Sequence, residues 1–538
     1  MKGTRLMGLV GAVALVTALI EWTGMAFGAI WPSVAALLLV FTTRNVLAGL
    51  LGGALVGAVL LADGRLWAVP MQLVENHLLP NFSSPWKSGA ILFTLLLGGF
   101  VHLLEKGGLL QALLIRLLHG QSRRKVEAGA GAFGLICFFD GLANSLMVGR
   151  IFQPLARSAG VSKVRLAYIV DTTSAAVACL AFISTWIAYQ LAMIREGFAL
   201  AGQEALSDPY RQFFASLPHN YYAWFALILM AVAIWRQWNF GPMAGYKAES
   251  GGGDAPQAAE LPSAPEGLWR AWIPVAALLV IIFVGIYTDG TKRMGEAVIP
   301  FTMDKLALSF SEANVPAILI VGSATGAFLA WLFFPKGASS RETSPGGIFM
   351  EGMIQLFQPV LILVMAWMLS STLKDLEAAA YLGELLGGRI PEELFPVAVF
   401  LTGSLVAFTT GTSWGTMGLL MPLAIPLAFA VAGETEAGLQ LVPIVIGAVF
   451  SGAVFGDHCS PISDTTIVSS IACDLDPMDH VRTQLPYAAV AALGAAVLGF
   501  IPAGWSGGSL IGALVSGAIF FGSLLVLQII IGRPRTKA

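Results

Sequence analysis

The chain has 538 residues, of which 57% are hydrophobic and 12% charged. Soluble domains carry roughly 25% charged residues, so this balance excludes an ordinary soluble domain and points to a polytopic membrane protein. The formal net charge of -2 argues against nucleic acid as a partner.

A helix that crosses about 30 Å of hydrocarbon needs about 20 mostly apolar residues. The N-terminal run 6–22 has a basic start, as a signal peptide does, but no small-residue cleavage site follows it. It reads as a first membrane helix. Further candidates lie near 26–43, 45–62, 88–104, 128–149, 166–190 and 221–238, then near 270–288, 314–334, 348–371, 394–409, 414–432, 440–456, 484–503 and 508–531. Some of these are expected to be broken or re-entrant, which leaves about 11–14 crossings. The fold class is therefore an all-α polytopic membrane protein.

The stretch 239–267 is rich in Gly, Pro, Ala and Glu and reads as a flexible cytoplasmic linker between two halves. The expected organisation is N-terminal helices over 1–87, a first transport repeat over 88–238, the linker, a second repeat over 268–505, and an extra helix with a basic tail over 506–538. Basic loops mark the cytoplasmic side. Lys2, Arg5, Arg123, Arg124, Lys125, the linker flanks Arg236 and Arg270, and the tail residues Arg533, Arg535 and Lys537 place both termini there. The less basic loops 63–87 and 196–220, which carry aromatic residues, read as external. Arg150, Arg157, Lys163 and Arg165 conflict with this topology unless 128–149 is broken or re-entrant.

Four polar clusters interrupt the apolar pattern: Phe138–Ser145 with Asp140, Asn144 and Ser145; Asp171-Thr172-Thr173-Ser174; Thr409–Thr416 with Thr412 and Ser413; and Gly456–Thr466 with Asp457, His458, Ser460, Ser463, Asp464 and Thr465. An ionisable side chain in lipid is expensive unless it faces a cavity, an ion or a partner. Broken backbone is tolerated at membrane depth only where it lines protein or water. Transporters build ion sites in this way. Two halves, each with a glycine-interrupted helix followed by an Asp-centred break, fit inverted repeats that meet at a midplane site. Carboxylate, hydroxyl, amide and freed carbonyl oxygens suit a hard cation such as sodium. The plainer alternative for the Thr and Ser residues is helix packing. His458 has three open roles: proton relay, partner of the aspartate, or packing. Gly411–Gly415 matches the G-x-S-x-G nucleophile elbow but lacks its strand-turn-helix context. No zinc-protease or nucleotide-binding motif occurs. The four cysteines fit neither a zinc site nor a disulfide framework.

The run G-D-H-x-S-P-I-S-D-T-T at 456–466, with 409–424 and FFDGLANSLMVGR, resembles the NhaC family of sodium/proton antiporters over about residues 85–500. The resemblance implies an ion-transporter-superfamily fold, an elevator-type homodimer and Na⁺/H⁺ exchange. The same family includes carriers that couple sodium or protons to organic acids or amino acids. The expected function is a prokaryotic inner-membrane antiporter, not an enzyme, that needs no cofactor beyond its transported ions. Asp457 and Asp171 would alternate between sodium-bound carboxylate and protonated acid, with Asp464 as a third sodium ligand. Asn144, Ser145, Thr172, Thr173, Ser413 and Ser460 would complete the oxygen shell, with Asp140, Thr412, His458, Ser463 and Thr465 alongside. The alternative is a Na⁺- or H⁺-coupled carrier of a small organic acid or amino acid.

Overall fold

The computed structural model describes residues 2–43, 45–62, 64–107, 122–138, 141–246, 269–294, 309, 313–334, 344–378, 381, 391–433, 435–461 and 463–531. Every regular element among them is helical. Among the described residues nine helices are long and apolar enough to cross a membrane, ten if the bent pair Pro209–His219 and Tyr221–Gly245 is one span. Three shorter apolar helices, Val10–Thr23, Trp31–Val40 and Val46–Leu60, accompany them.

Burial sorts the helices. The apolar windows of Thr435–Cys459 and Ser413–Ala432 are 78% and 72% buried in protein, whereas Leu510–Ile530 is only 17% buried and presents its side chains to lipid. The inner helices approach closely because small residues stand where they cross. Gly403 meets Gly452 in this way, as membrane helices without a hydrophobic drive between them require.

The order of elements recurs. Arg123–Ile136, a break, Gly141–Ser158 with an internal Pro154, Lys163–Leu180, a second break and Ile187–Leu200 form the first set. Phe395–Thr410, a break, Ser413–Ala432 with an internal Pro422, Thr435–Cys459, a second break and Asp464–Ala472 form the other. The local causes of the breaks are visible. Gly411 takes a left-handed φ of 68° that ends one helix, and Thr412 caps the next by accepting from Gly415 N at 3.1 Å. Pro461 stands in the break after Cys459.

The first interrupted pair is a re-entrant hairpin. Arg123, at the start of its first arm, donates to Glu127 Oε1 at 2.9 Å. Arg165, just beyond its second arm, donates to Glu127 Oε2 at 3.3 Å. Both ends therefore open on one face, which removes the conflict over the basic residues at 150–165. Lys163 on that face pairs with Asp474 at 2.8 Å. The span Pro477–Ser506 starts there, and its 30 residues cover about 45 Å. At its far end Gly504 abuts the Glu393 carbonyl, just ahead of Phe395. The second hairpin thus opens on the opposite face, and the two hairpin tips meet the two broken helices in the centre.

The less basic loops also come together. Trp86 and Lys87 lie beside Arg195 and Ser207 at the face opposite Lys163. At the start of the expected linker, Phe240 stacks on Tyr487 with ring centroids 4.0 Å apart, and Met243 is buried. Residues 247–268 lie outside the described residues.

Candidate functional site

Two carboxylates lie in the central region, both shut off from the exterior: Asp171 is 0% and Asp457 1% exposed. Asp457 occupies the last turn of Thr435–Cys459, where the helix is about to break. Ser463 Oγ, from the break itself, donates to its Oδ1 at 2.6 Å. Ser413 Oγ, at the tip of the second hairpin, donates to its Oδ2 at 3.1 Å. Thr465 Oγ1 lies 3.0 Å from Ser463 Oγ and donates to the Asp457 carbonyl at 3.2 Å. Hydroxyls both donate and accept, so this cage can turn its oxygens toward a cation or its hydrogens toward the carboxylate.

Asp171 has a different setting. Gln484 Nε2 donates to its Oδ2 at 2.6 Å, and His480 Nε2 lies 3.1 Å from the same oxygen. Thr466 and Ser469 hydroxyls complete the ring at 3.4 Å each. Gln484 supplies an amide donor to this carboxyl group, and His480 an imidazole nitrogen whose role follows its tautomer. Thr466 Oγ1 also donates to the Asp457 carbonyl at 2.9 Å, so one side chain touches both aspartates. Positions 286 apart (457 − 171) thereby share a single hydrogen-bonded network.

The remaining sequence candidates divide. His458 turns away from the Asp457 carboxylate. Its Nε2 lies 2.9 Å from Thr172 Oγ1, its Nδ1 lies 2.6 Å from the Tyr222 hydroxyl, and its carbonyl accepts from Gln484. Ser145 Oγ accepts from Ser469 Oγ at 3.0 Å. Asn144 Nδ2 ties the first hairpin to its neighbour by donating to the Gly134 and Thr173 carbonyls, while its buried Oδ1 has no hydrogen-bond partner among the described residues. Thr173 bonds back to its own helix at the Ile169 carbonyl, a packing role. Thr412 is the helix cap already described, and Ser460 is buried in the break with its N–H donating to Gly456 O at 2.8 Å. Asp140 and the Asp464 side chain lie outside the described residues.

Sequence reasoning missed His480, Gln484, Ser469 and Tyr222. A signal existed for two of them. His480 and Gln484 are spaced i, i+4, which puts both on one face of Pro477–Gly494. Among the described residues no three His, Cys, Asp or Glu side chains are placed to hold a metal ion together. An ion held here relies on hydroxyl, amide and carbonyl oxygens around one carboxylate.

A model of the Na+/H+ antiporter family matches residues 177–505, which contain the second hairpin and the whole Asp457 cage. The chain belongs to the Na+/H+ antiporter family. The antiporter is 30% identical over 489 residues to an uncharacterized protein of Haemophilus influenzae, covering 88% of this chain and 91% of that one. It is 37% identical over 120 residues to the malate-2H(+)/Na(+)-lactate antiporter of Bacillus subtilis, covering 21% of this chain and 24% of that one. Its fold is similar to the solved structure of Neisseria gonorrhoeae MtrF, with a TM-score of 0.52 at 14% identity over 86% of this chain and 85% of that one. Family and spans together make this a multi-pass membrane transporter.

Proposed function

We propose that the antiporter exchanges Na⁺ for H⁺ across a prokaryotic inner membrane, with Asp457 as the group that takes either ion. The observation that carries this reading is the cage around Asp457: a buried carboxylate at a helix break, bonded to the hydroxyls of Ser413 and Ser463. With sodium bound, those hydroxyls and Thr465 turn oxygen lone pairs to the cation. With a proton bound, the acid is neutral and the hydroxyls bond among themselves. A buried carboxylate favours its neutral form, and an adjacent cation reverses that preference, so the two ions exclude one another. The Gln484 and His480 contacts fix the position of the Asp171 carboxyl group, which orients the Asp464–Ala472 arm through Thr466 and Ser469.

The basic face, with Arg123, Lys163 and the Arg236 side chain bonded to Gln528 near the C-terminus, is assigned to the cytoplasm by the positive-inside rule. The test is transport in proteoliposomes. An imposed sodium gradient should move internal pH, and the sodium concentration for half-maximal rate should rise steeply as pH falls. A half-saturation flat across the acidic to neutral range would require separate sites. A second reading, exchange coupled to a small organic acid, is favoured by the similarity to the malate/lactate antiporter. Repeating the assay with organic acids on one side tests it.

A further inference from the structure

Away from the aspartates, at the face opposite Lys163, a cavity of about 350 Å³ is lined by Lys87, Arg195, Lys374, Glu196, Glu204 and Trp367, among others. Among the described residues three basic against two acidic side chains give its wall a net positive charge. Lys87 lies 3.3 Å from Glu196 and Lys374 lies 2.5 Å from Glu204, so each lysine already has a carboxylate. Arg195 is different. Its guanidinium lies over the Trp86 ring at 5.6 Å, and among the described residues it has no carboxylate within ion-pair distance. Two more donors line the same cavity unused. Trp367 is 0% exposed, and among the described residues neither its buried indole Nε1 nor the buried Ser207 hydroxyl has a hydrogen-bond partner.

We propose that this cavity binds a small organic carboxylate, with the carboxylate group on Arg195 and the carbon chain against the two indoles. A guanidinium presents two parallel N–H groups that match a carboxylate, and an arginine stacked on an aromatic ring is already oriented to use them. The net positive wall rejects a sodium ion, so the cavity is no second cation site. Its size falls in the range of small-molecule sites, and its aromatic walls with a few polar donors have their usual make-up.

The cavity connects to the ion site through one helix. Arg195 stands six positions after Tyr189, about 9 Å along the Ile187–Leu200 arm. The Tyr189 hydroxyl donates to the Trp414 carbonyl at 2.6 Å, next to Ser413 at the tip of the second hairpin. A ligand that draws Arg195 inward acts on the arm that holds this tip against Asp457. The inference deepens the reading of the chain as an antiporter and rests on it for this coupling alone.

The experiment is calorimetric titration of the full chain in phosphatidylcholine nanodiscs. The probes are propionate, succinate and propionamide, the last being close in shape to propionate but uncharged. The expected result is saturable binding of propionate or succinate and none of propionamide. Arg195→Gln should raise Kd about tenfold or more, and Arg195→Lys should recover part of the loss. Arg195 is exposed, and a monodisperse elution profile checks that each variant is folded. Equal binding of the amide, no binding of either acid, or an Arg195→Gln variant with wild-type affinity would overturn the proposal. So would phosphatidylglycerol in the nanodisc suppressing acid binding in wild type and Arg195→Gln alike, which would make the cavity a lipid headgroup site. A protein that binds the acids yet moves no protons in a sodium gradient leaves this site standing and removes the Na⁺/H⁺ reading. Sodium-driven pH change without acid binding does the reverse.

Discussion

Asp457→Asn isolates the charge from the shape of the central site. Asparagine fills the same space, and only one carboxylate oxygen becomes an amide nitrogen. That nitrogen faces Ser463 Oγ at 2.6 Å or Ser413 Oγ at 3.1 Å, and either hydroxyl can turn to accept. The fold should therefore lose no more than about 1–2 kcal/mol, the scale of one or two neutral hydrogen bonds. Ion binding should lose far more. A unit charge at roughly 2.4 Å from sodium, at an effective dielectric near 20, is worth about 7 kcal/mol. If carboxylate desolvation cancels half of that, about 3 kcal/mol remains, more than a hundredfold in affinity. Proton binding at this position vanishes altogether. In proteoliposomes the variant should show no sodium-driven pH change, while its thermal unfolding midpoint stays within a few degrees of wild type. Wild-type exchange by the variant would refute the assignment. A collapse in the unfolding midpoint would refute the account of the cage as a set of adaptable hydroxyls.

Other perturbations test the frame around the site. Glu127→Ala strands the buried Arg165 guanidinium and should cost about 3–5 kcal/mol, read as a large drop in the unfolding midpoint; an unchanged midpoint would show that the pair does not hold the first hairpin. Gly456→Ala would put a β-carbon 2.2 Å from Ala407 Cβ and 2.3 Å from the Ala407 carbonyl carbon, so it should destabilise by about 1–3 kcal/mol and displace Asp457 next door, lowering transport. A fully active, fully stable Gly456→Ala protein would mean that the helices separate freely. The exposed Asp474 carboxyl is held below its ordinary value of 3.8 by its hydrogen bond to Lys163. Because the folded value is depressed, its stabilisation is present above the unfolded value and is lost as pH falls through the folded one. The pair is solvated, so Asp474→Asn should cost only a few tenths of a kcal/mol at neutral pH, with the gap to wild type closing below about pH 4. A gap that widens on acidification would contradict this.

The parts of the fold and the site that were legible in the sequence are those where a local cost is written into the residues. Gly411 can take the left-handed φ that ends a helix at no steric cost, Pro461 has no N–H to give to one, and both mark breaks. Asp171 and Asp457 stand in apolar surroundings where an unanswered carboxylate is expensive, so their involvement in a polar centre could be expected before any contact was known. The identity of the answering groups was not legible, because it depends on the packing register of distant segments. Gln484 lies 313 positions from the Asp171 it bonds, and Arg165 lies 38 positions from Glu127. Nothing in PMDHVRTQLPYAAV says which way that helix turns, although the i, i+4 pair says that His480 and Gln484 turn together. The basic residues at 150–165 raised a broken or re-entrant 128–149 as a way out of a charge conflict, but the same limit kept the sequence from deciding it. Hydropathy scores 128–149 as a crossing, and only the shared carboxylate of Glu127 shows that its two ends open on one face. It also hid the Arg195 cavity, whose walls come from residues near 84–87, 192–207 and 367–374. Each of those residues alone reads as an interfacial charge or aromatic anchor, the commonest role for such side chains at a membrane surface. Their convergence around a guanidinium with no acid partner among the described residues is a property of the packed molecule, and it is what turns a set of interfacial residues into a site with a chemistry of its own.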